Sequence, residues 1–120
     1  MERRRPRRGA IWFVYTPGQP DDPHQPRPAL VVSRDVRNQL ADDLIVVPIF
    51  SAGSPSPTHV PMRAGMGGIL HDSIIFCEEI TTVHNDFVID GPLGALVSDG
   101  ILQRIIRAVR RALGEPVPEP

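Results

Sequence analysis

Only one cysteine, Cys77, occurs in the 120 residues, and it sits in the apolar run Ile74-Ile75-Phe76-Cys77. An internal disulfide is therefore excluded, and the thiol reads as a buried one in a reducing compartment rather than as a nucleophile. Lysine is absent, so all 13 basic residues are arginine, gathered mainly at 3–8, 27–37 and 104–111. No apolar run approaches the ~18 residues that a membrane-spanning helix needs. The start MERRRPRR carries five arginines. It is not followed by the apolar segment of ~7 or more residues that a secretory signal requires, so the expected address is the cytoplasm. There is no internal repeat, no glycine-rich phosphate loop and no paired spacing that would hold zinc. His24, His59, His71 and His84 are scattered, and no metal or cofactor is expected.

What is present fits one globular domain, since a chain of this length has no room for a second core. The net charge of −1 hides local concentrations of arginine. A planar guanidinium donates two parallel hydrogen bonds and suits phosphate, although arginine-only usage beside 14 prolines also fits a GC-rich genome.

Gly9 to Tyr15 (GAIWFVY) is rich in β-formers and reads as the first strand. Thr16 to Pro28 carries four prolines before Arg27 and no apolar periodicity. It reads as a long surface loop, and loops of about 12 residues inside compact domains usually serve a site. Ala29 to Ser33 and Leu44 to Phe50 are continuous apolar runs of strand length, separated by the polar stretch Arg34 to Asp43 with room for a short helical turn. Pro48 inside the second run predicts an edge or a bulge, because proline cannot donate to a ladder. Short strands follow at Thr58 to Met62, Ser73 to Cys77, Ile80 to Val83 and Phe87 to Ile89, with a glycine-rich hairpin region at Arg63 to Gly68.

From Ser98 the period becomes helical. Ile101, Leu102, Ile105, Val109 and Ala112 to Leu113 share a face, Ser98 is placed to N-cap, and Gly114 is the stop. Arg104, Arg107, Arg110 and Arg111 fall mostly on the other face and read as its solvated side. The expected organisation is a flexible basic tail over 1–7, one domain over 8–114 and a disordered proline-rich tail over 115–120.

Several strings, in order, resemble the MazF/PemK-like toxins of bacterial toxin–antitoxin systems. Arg8 to Val14 resembles the family's R-G-D-I-W-x-V opening, and Arg27-Pro28-Ala29-Leu30-Val31-Val32-Ser33 matches its R-P-x-L-V-V-S. Ile45-Val46-Val47-Pro48 is similar to I-V-V-P, and Pro57-Thr58-His59-Val60 to P-T-H-V. Asp72 to Val83 resembles D-S-V-x-x-x-E-Q-I-R-T-V, with Glu79 for its glutamine and Thr81 for its arginine. The resemblance implies a mainly β, SH3-like small barrel with a C-terminal helix, assembled as a homodimer. It further implies a metal-independent endoribonuclease that cuts single-stranded RNA to a 2′,3′-cyclic phosphate and a 5′-hydroxyl. The implied partner is an antitoxin whose extended acidic segment covers the dimer groove.

Carried over residue by residue, the resemblance makes Arg27 the catalytic arginine, where its fork would stabilise charge developing on the scissile phosphate. The bland alternative is an ion pair with Asp21 or Asp22. The family's catalytic threonine falls on Phe50, which has no hydroxyl. Ser51 replaces it only if a bulge at Pro48 shifts the register by one, and otherwise faces away. Phe50 alternatively stacks a base. Asp22 and His24 are further proton-transfer candidates in the long loop. Arg34, Phe50, Glu79 and Thr81 are the expected RNA contacts, although adjacent carboxylates at Glu78 and Glu79 would repel phosphate unless one is paired. The missing threonine leaves a second possibility, an RNA- or protein-binding module that has lost the chemistry.

Overall fold

The computed structural model describes residues 5–16 and 26–118. Seven antiparallel strands are present: β1 (Ile11–Val14), β2 (Arg27–Val31), β3 (Asp43–Phe50), β4 (His59–Met62), β5 (Ser73–Phe76), β6 (Thr81–His84) and β7 (Val88–Asp90). They are joined by a short helix α1 (Asp35–Leu40) and closed by α2 (Asp99–Ala112). The sheet runs β4-β5-β3-β2-β1-β7, with β6 also paired to β3. The mainly β class with its C-terminal helix is as read from the sequence. The sheet is not closed into a full barrel, because β4 and β7 end it without pairing with each other.

Both faces of the sheet are buried, which explains why β2 and β3 are continuous apolar runs and not alternating ones. On one face Ile11, Leu30, Val47, Ile49, Val60, Met62 and Ile75 pack against Leu102, Ile105, Ala108 and Val109 of α2. On the other, Ala10, Trp12, Val14, Ala29, Val31, Val46, Val83 and Val88 form a second cluster as β6 and β7 fold over. The two sets alternate along β1, β2 and β3, as a period of two requires.

The reading of Pro48 as an edge or bulge does not hold. β3 is central, and its pairing with β2 is unbroken through Val46, Val47 and Pro48. The reason lies on its other flank, where β6 pairs as far as Val46 and β5 takes over from Ile49. Ile45 turns its carbonyl to the β2 side, accepting from Val32 at 3.0 Å. Alternation then aims position 48 at the interval between β6 and β5, where a missing N–H breaks no ladder bond.

Of the stretch 1–7 expected as a flexible tail, residues 5–7 are described, and two of them bond to the domain, Arg5 to the Gln39 carbonyl and Pro6 to Asn38. Pro6 is buried and its carbonyl accepts from Asn38 Nδ2 at 3.2 Å. The Arg8 amide donates to Asp35 at 2.7 Å and its Nε to the Val32 carbonyl at 3.1 Å. Asn38, 1 % exposed, also binds the Ser33 hydroxyl and carbonyl, so one buried amide ties α1, β2 and the N-terminus together.

Helix α2 keeps its predicted frame. The Ser98 hydroxyl accepts from the Ile101 amide at 3.2 Å, and Gly114 (φ +94°) ends the helix. Ser98→Ala therefore costs about 1 kcal/mol of unfolding free energy, read by denaturant titration. No change beyond a few tenths would show that the cap contributes nothing. After the helix, residues 115–118 are described: Glu115 pairs with Arg110, and Arg111 donates to the carbonyls of Val117 and Pro118.

Candidate active site

Arg27 opens β2 two residues before the expected strand start and is laddered against Val14. The β2–β3 register pairs Ala29 with Pro48, so extending it by two residues sets Arg27 across from Phe50. The guanidinium carbon accordingly stands 4.4 Å from the Phe50 ring centroid. Such a cation–π contact is worth about 0.5–1 kcal/mol at an exposed site and more where water is excluded. The hydrogen-bonding fork lies at the edge of the guanidinium plane.

Ring contacts continue across the sheet. Phe76 on β5 lies 4.5 Å from Phe50, tilted by 44°, and His59 on β4 stacks on Phe76 at 4.1 Å and 9°. His59 is directly opposite Phe76 in the β4–β5 register and closes the row by pairing with Glu78. The loop after β3 crosses this row, since a Cβ on Gly53 (φ +137°) would lie 3.0 Å from the Phe76 ring. Arg27, Phe50, Phe76 and His59 thus form one row, stacked at its His59 end and tilted between the two phenylalanines, over four strands.

Beside its first member lies an open groove of about 500 Å³. Arg27, Phe50, Ser51, Leu70, His71 and Ser73 line it. Leu70 stands at the rim with 83 % of its surface exposed. One wall is set by a close approach of the glycine turn, because a Cβ on Gly68 (φ +90°) would meet the Leu93 carbonyl oxygen at 2.3 Å. A guanidinium (Arg27), a hydroxyl (Ser51) and an imidazole (His71) therefore share one concavity.

Arg27, Phe50 and Ser51 are brought together in this groove. No bulge delivers Ser51 there, since the pairing of Ile49 and Phe50 with β5 is regular. Phe50 ends β3 and Ser51 begins a bend, so strand alternation does not reach it. Asp22 and His24 lie outside the described residues. Arg34, Glu79 and Thr81 line no part of the groove: Arg34 is exposed at the start of α1, Glu79 ends the 3-10 turn Cys77–Glu79, and Thr81 is paired with Val46 on β6. Sequence reasoning placed neither His71 nor the Phe76–His59 pair at a site, because their proximity depends on strand register.

The Cys77 thiol is fully buried and pushed up to about 12, chiefly by burial with the Glu78 charge adding to it, so it is not a nucleophile. Burial also works against ionisation of Glu78, but hydrogen bonds from Thr58 and His59 outweigh it and hold the carboxyl below its usual 4.5. A carboxylate held low contributes stability above its ordinary pKa and loses it as the pH falls through the folded value. Glu78→Gln therefore lowers the melting temperature at neutral pH, and the gap to wild type closes on acidification below 4.5. Melting curves of both proteins from neutrality into acid check this, and a gap that ignores pH would contradict it. Among the described residues no cluster of three or more His, Cys, Asp or Glu could hold a metal ion, and no helix is long and apolar enough to cross a membrane.

The fold and this groove can be set beside known proteins. An endoribonuclease from a mycobacterial species superposes with a TM-score of 0.76 at 25% identity, covering 98% of this chain and 100% of the other. A mycobacterial endoribonuclease in complex with its cognate antitoxin gives 0.75 at 26% identity, over 94% of this chain and 99% of the other. A MazE-MazF structure from Deinococcus radiodurans gives 0.73 at 19% identity, over 92% and 96%, a likeness of fold. The model of the PemK-like, MazF-like toxins of type II toxin–antitoxin systems matches residues 7–113. That span holds both helices, all seven strands and the whole row, and the chain belongs to this toxin family.

Proposed function

We propose that the chain is the toxin of a toxin–antitoxin pair and acts as a metal-independent endoribonuclease on single-stranded RNA. The 2′-hydroxyl oxygen attacks the adjacent phosphorus, the bond from phosphorus to the 5′-oxygen breaks, and the products are a 2′,3′-cyclic phosphate and a 5′-hydroxyl. The observation that carries this reading is the Arg27 guanidinium, 4.4 Å from the Phe50 ring centroid, in the lining of the groove. A preorganised fork is what a developing phosphorane charge needs, and the ring contact keeps it from having to reorganise during reaction. The Ser51 hydroxyl supplies a further donor. Proton transfer is assigned to His71 in the groove or to His24, with Asp22 as an alternative base. The working unit is a homodimer in the cytoplasm, silenced by an antitoxin with an extended acidic segment. Likeness to the mycobacterial endoribonucleases over nearly the whole chain supports the same reading.

The test is incubation of the purified chain with a long unstructured RNA in EDTA, with analysis of the new ends. Fragments ending in a cyclic phosphate are expected, and RNA left intact at enzyme excess would reject the proposal. A second reading is favoured by the Phe50 ring itself, which occupies the position of the family's threonine. On that reading the chain binds RNA or protein without cutting, and Phe50→Thr creates an activity that the wild type lacks. A wild type that already cleaves RNA rejects it.

A further inference from the structure

The arginines of α2, which the sequence assigns to a solvated helix face, border a second groove. Arg104, Arg107 and Arg111 face Pro57, His59 and Pro61 across a cleft of about 400 Å³ between the helix and the edge strand β4. Positions i, i+3 and i+7 fall on one stripe, which runs about 10 Å along the axis. Among the described residues no carboxylate pairs with any of the three, whereas their neighbour Arg110, which lies outside the groove, is neutralised by Glu115. Arg111 is fixed by neutral partners, donating to the carbonyls of Pro57 at 3.1 Å, Val117 at 3.1 Å and Pro118 at 2.7 Å, and so keeps its charge uncompensated. Three cations on one wall of a cleft, none paired with an acid among the described residues, form a site for a polyanion, and the Glu78 carboxylate nearby is taken up by His59.

Its position favours a nucleic-acid strand as the occupant. The loop that follows β3 contributes Ser51 to the groove at Arg27 and Pro57 to this one, so one loop borders both concavities. The row runs beneath that loop from Arg27 in the first groove to His59 in the second. We propose that the α2 groove extends the RNA site, with Arg104 and Arg107 holding backbone phosphates of the strand that flanks the cut. This rests on reading the Arg27 groove as the place of cleavage. It adds a claim about substrate length: a strand that fills only the first groove binds more weakly than one that reaches the second, and the difference depends on salt.

The experiment measures binding of the full chain to fully 2′-O-methylated single strands of ~4 and ~16 nucleotides by fluorescence anisotropy across salt. The double variant Arg104→Ala/Arg107→Ala is compared with Arg104→Lys/Arg107→Lys, which keeps the charges but not the forks. Each single-strand phosphate contact contributes about 0.7 to the slope of log affinity against log salt. Loss of two contacts therefore flattens the slope for the long strand by about 1.4, so the deficit of the alanine variant narrows about sevenfold between ~50 and ~200 mM salt. Most of the slope returns in the lysine variant, and the preference for the long strand falls in the alanine variant.

An alanine variant with the wild-type slope and length preference overturns the proposal. So does a variant whose only change is in sedimentation, which would make the groove an interface between copies. A variant that loses only binding to an acidic peptide such as oligoglutamate also overturns it, in favour of a protein partner. Failure of the nuclease reading is distinguishable: the slope then changes although the wild type cuts no RNA, whereas failure of this inference leaves a cleaving enzyme with an unchanged slope.

Discussion

Arg27→Ala lowers the rate of RNA cleavage by about 10²–10³-fold, the usual effect of removing one preorganised donor from a developing anion. The side chain is half-buried at the start of β2 and its guanidinium carbon lies 4.4 Å from the Phe50 ring centroid, so its backbone is held by the strand and its head group by the ring before substrate arrives. The loss falls on kcat more than on KM if the fork meets charge that appears only in the transition state. Arg27→Lys recovers little, because an ammonium offers a point charge without the bidentate fork. The variant should remain folded, since Arg27 belongs to neither core cluster. Cleavage within a few-fold of wild type by a folded alanine variant would remove Arg27 from the chemistry.

Ile105→Ala lowers unfolding free energy by 2–5 kcal/mol, the range for deleting a large buried aliphatic side chain with partial collapse around the cavity (about 24 cal/mol per Å³ remaining). Ile105 is 0% exposed at the centre of the α2 face, with Leu102, Ala108 and Val109 around it and β4 and β5 opposite. This helix packs most extensively against the Cys77–Glu79 turn and β4. Loosening it therefore reaches both the His59–Glu78 pair and the α2 groove. At about 4–8 °C of melting temperature per kcal/mol, the shift is unmistakable in a thermal scan. Leu113→Ala, at a residue 76% exposed, is the control and stays within about 0.5 kcal/mol of wild type. Equal effects from the two substitutions would contradict the packing described.

Much of the fold is legible in the sequence because local signals and burial agree. The long apolar runs become β2 and β3, and the change to a helical period at Ser98 becomes α2 with its cap and glycine stop. Pro48 misleads because its meaning depends on a change of strand partners that no local pattern records. The anchoring of Pro6 is likewise invisible, since it depends on a buried asparagine 32 residues away. At the site, Arg27 is found through a string resembling a known family, and its neighbour Phe50 follows from the same alignment. The rest of the row is not found that way. His59 and Phe76 are brought face to face only by the β4–β5 register, and His71 reaches the groove through the glycine turn before β5. The arginine stripe is visible as a periodicity, but its groove exists only once β4 packs beside the helix.

The central claim is that the guanidinium on Phe50 meets the phosphate of a bound strand. The most direct measurement is the Arg27 side-chain Nε–H resonance of isotope-labelled protein, titrated with an uncleavable 2′-O-methylated single strand. The account predicts that this resonance moves in step with saturation and that Phe50→Ala weakens the response. Saturable binding that shifts other resonances while leaving Arg27 unmoved would contradict it.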